Sequence, residues 1–147
     1  MKNLLLVVAL LLPLLSCHNN AAGMADIVVD GRGIIVEPYL ARGFMPPVSP
    51  ADGSPLAVYV KLSASDSLPL PQGLLVDYAW VVKGFATWGT DMLKDESSPE
   101  PWSAEFRGFG GPKWGPNIRV DVAVRIILPN GDSTRVRIPR CLINRSV

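Results

Sequence analysis

The chain has 147 residues, and its 14 Lys and Arg against 13 Asp and Glu leave a net charge of +1 at pH 7. So even a balance predicts neither nucleic-acid binding nor attraction to a membrane surface. The length suits a single domain that buries its own core without disulfide staples.

Lys2 supplies a short positive start, and Leu4 to Leu15 follows with no charge, interrupted only by Pro13. Twelve helical residues reach about 18 Å, well short of the roughly 30 Å of bilayer hydrocarbon, so a signal peptide is expected over residues 1–16 and not a spanning helix. Every later apolar run is cut by Gly, Pro or charge. The segment closes on Leu14-Leu15-Ser16-Cys17. This resembles the lipobox of bacterial lipoproteins, with an aliphatic residue three before the cut, a small residue just before it, and then Cys. Leu15 departs from the pattern, where a smaller residue is commoner. The resemblance covers only the first seventeen residues. It implies a diacylglyceryl group on the Cys17 thiol, cleavage in front of Cys17, export and anchoring. His18 stands where Asp, in the enteric sorting pattern this resembles, would retain the protein in the inner membrane, so the outer membrane is favoured if the source has one. Ala21, Ala22 and Ala25 hold no pair spaced by two, so an ordinary A-x-A cut is disfavoured. Met24-Ala25-Asp26 offers an alternative start that omits the signal.

Residues 17–26 read as a lipidated, small and polar tether, and 27–147 as the folded domain. From Ile27 onward the pattern is all-β, punctuated by Gly and Pro. Ile34 to Tyr39 is the first clear strand, with Pro38 marking an edge or an end. A Pro-rich loop runs from Pro46 to Pro55. Leu56 to Ala64 alternates, with Leu56, Val58, Val60 and Leu62 on one face and Tyr59, Lys61 and Ser63 on the other. Leu68 to Gly73 forms a second Pro-containing connection. Over Leu75 to Lys83 the alternation points Val76, Tyr78, Trp80 and Val82 inward, with Asp77 and Lys83 to solvent. Short strands follow at Phe85 to Trp88 and Trp102 to Phe106, on either side of an acidic loop from Asp91 to Glu100. Gly108 to Pro116 is a turn-rich crossing.

The last hairpin is the most specific structural expectation. Val120, Val122, Val124, Ile126 and Leu128 alternate with Arg119, Asp121, Ala123 and Arg125; beyond the turn, Thr134, Val136 and Ile138 alternate with Arg135 and Arg137. Pro129-Asn130-Gly131 predicts a three-residue loop with Gly131 in the left-handed region. That register sets Ile126 opposite Thr134 and Val124 opposite Val136; a two-residue loop would mix the faces.

About seven strands with a Trp in the third resemble an immunoglobulin-like or fibronectin-like antiparallel β-sandwich over roughly residues 30–143. The paired core cysteines of antibody-type domains are missing. A transthyretin-like sandwich or an open barrel would produce much the same pattern.

No catalytic, cofactor or metal motif stands out. The one His is His18, in the tether, so acid–base work would fall to carboxylates, Lys or Tyr. Asp91, Asp95, Glu96 and Glu100 lack the alternation and Gly of a calcium loop and read as solvated. With Cys17 acylated, Cys141 is left as a lone thiol and is expected to be small and buried. Two surfaces are candidates for binding. Arg125 faces Arg135 across the last hairpin with Arg137 one step on, balanced by Asp77 and Asp121 or by an anionic partner. Trp88, Trp102 and Trp114, with Phe109 near them, lie in or near loops; they would stack on sugars or partners, or else plug the ends of the domain, with Trp114 the most exposed. The leading expectation is a non-catalytic, lipid-anchored envelope protein whose partners are the membrane and an envelope protein or glycan. The alternatives are a carbohydrate-binding module and an enzyme with an unrecognised carboxylate site.

Overall fold

Alternation of apolar and polar residues dominates the chain, and a computed structural model shows where it leads. It describes residues 23–146 except 46, 98 and 99, so the lipobox-like segment and His18 lie outside the described residues. Nine strands form: β1 Ala25–Val29, β2 Arg32–Gly43, β3 Leu56–Ala64, β4 Leu75–Lys83, β5 Ala86–Asp91, β6 Leu93–Lys94, β7 Ser103–Gly111, β8 Arg119–Ile127 and β9 Ser133–Ser146. The fold is all-β. The two strands beyond the expected seven are β1, which takes Ala25 and Asp26 out of the tether, and β6, inside the acidic loop.

The strands follow one path, β5-β4-β8-β9-β2-β3-β7-β6, with β1 added on β2. The path curls into a nearly closed, barrel-like shape by two crossings. At one, β9 leaves β8 and runs parallel to β2, pairing Leu40 with Ile143 and Gly43 with Ser146. A bulge at Pro139–Arg140 precedes the crossing, where Arg140 adopts φ 57° and the inward spacing stretches from Ile138 to Cys141; β9 stays on β8 as far as Leu142 and takes β2 from Ile143. A purely antiparallel sheet was expected, so this parallel step is a correction. At the other crossing, β5 and β6 are separated only by Met92, whose N–H donates to the Asp77 carbonyl at 3.0 Å, and the chain passes from β4 to β7.

The expected register holds in β3 and in the last hairpin. Leu56, Val58, Val60 and Leu62 are fully buried. Ile126 pairs with Thr134, Val124 with Val136, and Gly131 has φ 88° in the loop closed by Leu128 and Asp132. Pro38 is an edge in a local sense. The far side of β2 pairs with β1 up to Val36 and with β9 from Leu40, so Pro38 falls in the gap.

β4 departs from expectation. A bulge between Val76 and Tyr78 shifts the alternation, so Val76, Ala79 and Val81 face the core and Tyr78 and Trp80 lie outside. Two residues of β4 then occupy the space of one on β8, and every later side chain changes face. The immunoglobulin-like resemblance loses its core Trp by this shift.

Neighbouring strands along the path alternate in direction, apart from the β2–β9 step, so the connections gather in two sets. Among the described residues, turns 30–31, 65–74, 95–97 with 100–102, and 128–132 form the upper end; 44–45 with 47–55, 84–85 and 112–118 form the lower. At the upper end Arg32 holds Asp66 through two hydrogen bonds of 2.9 Å and also donates to the Pro69 and Leu68 carbonyls. Arg32 holds the Asp66 carboxyl well below its usual 3.8, at about 2. A depressed carboxyl stabilises the fold above its unfolded value and loses that contribution as pH falls through the folded one. The melting-temperature gap between the natural protein and Asp66→Asn is therefore expected to be full above about pH 4 and to close toward pH 2. A gap that persists unchanged at pH 2 would contradict this.

Candidate functional site

Strand β8 places Arg125 directly opposite Arg135 of β9, the like-charge pair the hairpin register implies. Asp77 of β4 faces outward beside them, as alternation implies, and Arg125 grips its carboxylate at 2.8 and 2.9 Å. This partner raises the Arg125 pKa above its ordinary value. Arg137 donates to Asp121 at 2.6 Å, and that bond, helped by the Arg140 backbone N–H, holds the Asp121 carboxyl low. Arg135 has no carboxylate within ion-pair distance among the described residues; its guanidinium lies 3.9 Å from the centre of the Trp80 ring. Trp80 in turn packs on Tyr78 at 4.7 Å. The outward Trp80 is thus held by cation–π stacking, and two of the three candidate arginines are neutralised within the sheet.

The tryptophans do not form one site. Trp88 packs against the core, over Gly111 of β7. A Cβ on Gly111 would sit 2.7 Å from the Trp88 ring, so this glycine is what lets β5 close on β7. Gly111→Val is expected to cost about 1–3 kcal/mol by overpacking, read from urea titration, with Trp88→Ala in the same chain relieving part of it. Trp114 also packs against the core, with the Lys83 ammonium 5.8 Å from its ring. It was expected to be the most exposed of the set. The carbonyls on either side of it, of Lys113 and Gly115, are both held by Arg42, which folds the loop inward. Trp102 is 40% exposed but stands at the upper end of β7, about 30 Å of strand from Gly111.

The acidic loop is tied locally. Asp95 accepts from the Ser97 hydroxyl and N–H and pairs with Arg107 at 3.2 Å. Among the described residues no group of His, Cys, Asp and Glu is arranged to hold a metal. Cys141 is buried; burial pushes its thiol up to about 11, so it is protonated and unreactive at neutral pH.

A different surface gathers chemistry. On the outer face of β2, β3 and β7, one row pairs Glu37 with Lys61 and Lys61 with Glu105. The next outward row pairs Tyr39 with Tyr59, ring centres 6.1 Å apart, and Phe109 meets Tyr59 edge-on at 5.9 Å. Tyr39 and Phe109 are half-exposed. Glu37, Tyr39, Tyr59, Lys61 and Glu105 border an open depression of about 410 Å³; Ala41 and Tyr59 also line a second of about 310 Å³ beside Ala57 and Phe109. Glu37, Lys61 and Glu105 form no ion pair with another described residue. The groove therefore offers aromatic faces, hydrogen-bond acceptors and a donor together. Alternation alone placed Tyr59 and Lys61 outward; the strands beside them, and so the groove, come from long-range pairing.

No known protein family matches this chain, and no curated protein or solved structure is significantly similar to it.

Proposed function

We propose that this chain is a lipid-anchored cell-envelope protein whose β domain binds a partner and performs no catalysis. The observation that carries this is the Leu14-Leu15-Ser16-Cys17 segment followed by a β domain that starts at Ala25, eight positions after Cys17. A diacylglyceryl group supplies the two chains that stable anchoring requires. His18 next to Cys17 favours the outer membrane where there is one. Growth with a labelled fatty acid tests the anchor. The natural chain should take up label and Cys17→Ala should not; equal labelling of both would overturn the proposal.

In fold, we read the barrel-like sheet as two flattened layers, β1-β2-β3-β7 over β4-β8-β9. Strands β5, β6 and the end of β9 cross between them. This keeps the sandwich reading in a transthyretin-like or other form; the outward Trp80 weighs against an immunoglobulin-like one.

A second reading, carbohydrate binding, moves from the tryptophans to the groove of Tyr39, Tyr59 and Phe109. Sugar rings stack on aromatic faces while carboxylates accept their hydroxyls. Titration of the full chain with envelope glycans is expected to show binding that Phe109→Ala weakens at least tenfold and Trp102→Ala leaves intact. The reverse order, or no binding across a broad panel, would contradict it.

A further inference from the structure

The overall charge balance conceals a separation of charge along the barrel. Counting turns and the strand residues that border them, the upper end holds six carboxylates, Asp30, Asp66, Asp95, Glu96, Glu100 and Asp132, against two cations, Arg32 and Lys94. The lower end, counting its turns and the strand residues that border them, exposes Lys83, Lys113, Arg119 and Arg145 against one carboxylate, Asp52. The same end carries apolar side chains that no packing requires outside. Phe85, at the tip of the β4–β5 hairpin, is fully exposed, Val48 is 82% exposed and Met45 half-exposed.

The N-terminal chain leaves toward this end. In the β1–β2 pair, Val29 sits opposite Arg32 and Ala25 opposite Val36, so each earlier residue of β1 lies further toward the Gly43 end of β2. From the level of Val36 to that of Gly43 is about 23 Å along the strand. Eight residue steps from Ala25 back to Cys17 span at most about 27 Å. The segment is just long enough to bring Cys17 level with the lower end.

We propose that the lower end docks on an anionic phospholipid surface, with the Phe85 hairpin tip and the side chains of Met45 and Val48 entering the head-group region. This rests on the reading of Cys17 as the lipid anchor. Aromatic and aliphatic tips belong at the bilayer interface, and lysines beside them reach the head groups while their stems stay apolar. Cations nearby are drawn to the anionic leaflet within a Debye length. The acidic upper end is repelled by the same surface, so charge sets orientation as well as attachment. The short tether then adds high effective concentration, because it holds these tips beside the membrane.

The experiment uses the full lipidated chain, its mass confirmed, in vesicles of phosphatidylglycerol with phosphatidylcholine and of phosphatidylcholine alone. Phe85→Cys and, at the upper end, Leu68→Cys carry an environment-sensitive fluorophore; both side chains are exposed, and buried Cys141 does not compete for label. Lipids brominated along the acyl chain should quench the label at position 85 at least threefold more than that at 68. Adding Lys83→Glu with Lys113→Glu should reduce that ratio, as should removal of phosphatidylglycerol. Equal quenching at both positions, or stronger quenching at 68, on a lipidated chain overturns the docking and leaves the anchor standing. A chain whose mass lacks the lipid overturns the anchor and, with it, the docking.

Discussion

Arg42→Ala is expected to destabilise the domain by about 2–4 kcal/mol, because it strips one charged donor from several carbonyls at once, and hydrogen bonds to charged groups contribute about 1.5–3 kcal/mol each. Arg42 is 3% exposed and has no ion-pair partner among the described residues. Its guanidinium instead donates to four backbone carbonyls. Nε reaches Ser54 at 2.9 Å, one terminal nitrogen reaches Lys113 at 3.1 Å and Gly115 at 2.6 Å, and the other reaches Asp52. The plane also lies against Phe44, 5.1 Å from its centre. One side chain thus ties loop 44–55 to loop 112–118. Truncation leaves four carbonyls without their donor. Arg42→Lys should recover little, since a point ammonium cannot reproduce the planar fork. Urea titration of both variants decides this; a loss below about 1 kcal/mol for Arg42→Ala would contradict it.

The second large effect is expected at Phe106, the bulkiest of the fully buried side chains. It stands on β7 opposite Val60 of β3 and, on the other side, opposite Lys94 of β6. Its ring therefore fills the core at the seam where the sheet closes on itself. Phe106→Ala removes the transfer energy of the ring and leaves a cavity, about 3–5 kcal/mol together. Because β7 is paired with β3 on one side and β6 on the other, the seam cannot collapse onto the void without giving up pairing. Phe106→Leu retains much of the contact and should cost clearly less. A Phe106→Ala chain that melts within a few degrees of the natural one would show that the core relaxes around the loss.

What the sequence made legible follows from period two. β3 and the last hairpin carry apolar residues on one face only, and Pro129-Asn130-Gly131 has one loop geometry that keeps the faces aligned, so their register could be deduced. β4 could not be resolved in this way. Ala79 and Val81 are as apolar as Tyr78, Trp80 and Val82, so the pattern allows either face inward, and the bulge at Asp77–Tyr78 decides. β1 was missed because only Ile27, Val28 and Val29 separate the small and polar tether from the turn at Asp30-Gly31, a run too short to show a period of two. The parallel step of β9 on β2 joins residues about a hundred positions apart, which no local pattern encodes. The candidate arginines were placed correctly relative to each other, and Asp77 and Asp121 were legible as balancing partners; which arginine each one takes, and that Arg135 is left to Trp80, depends on the sheet order. Trp114 alone was misjudged, because its Gly/Pro frame suggests exposure and Arg42 reverses this. Net charge near zero concealed the acidic upper end and the basic lower end, since composition sums over the strands that separate them.

The anchor at Cys17 is the central claim, because the export, the site of action and the orientation of the barrel all follow from it. The most direct measurement is the intact mass of the full-length gene product recovered from the membrane fraction of expressing bacteria. The mass should correspond to a chain beginning at Cys17 and carrying at least a diacylglyceryl group. A chain of any other start, or one beginning at Cys17 without that increment, would contradict the account.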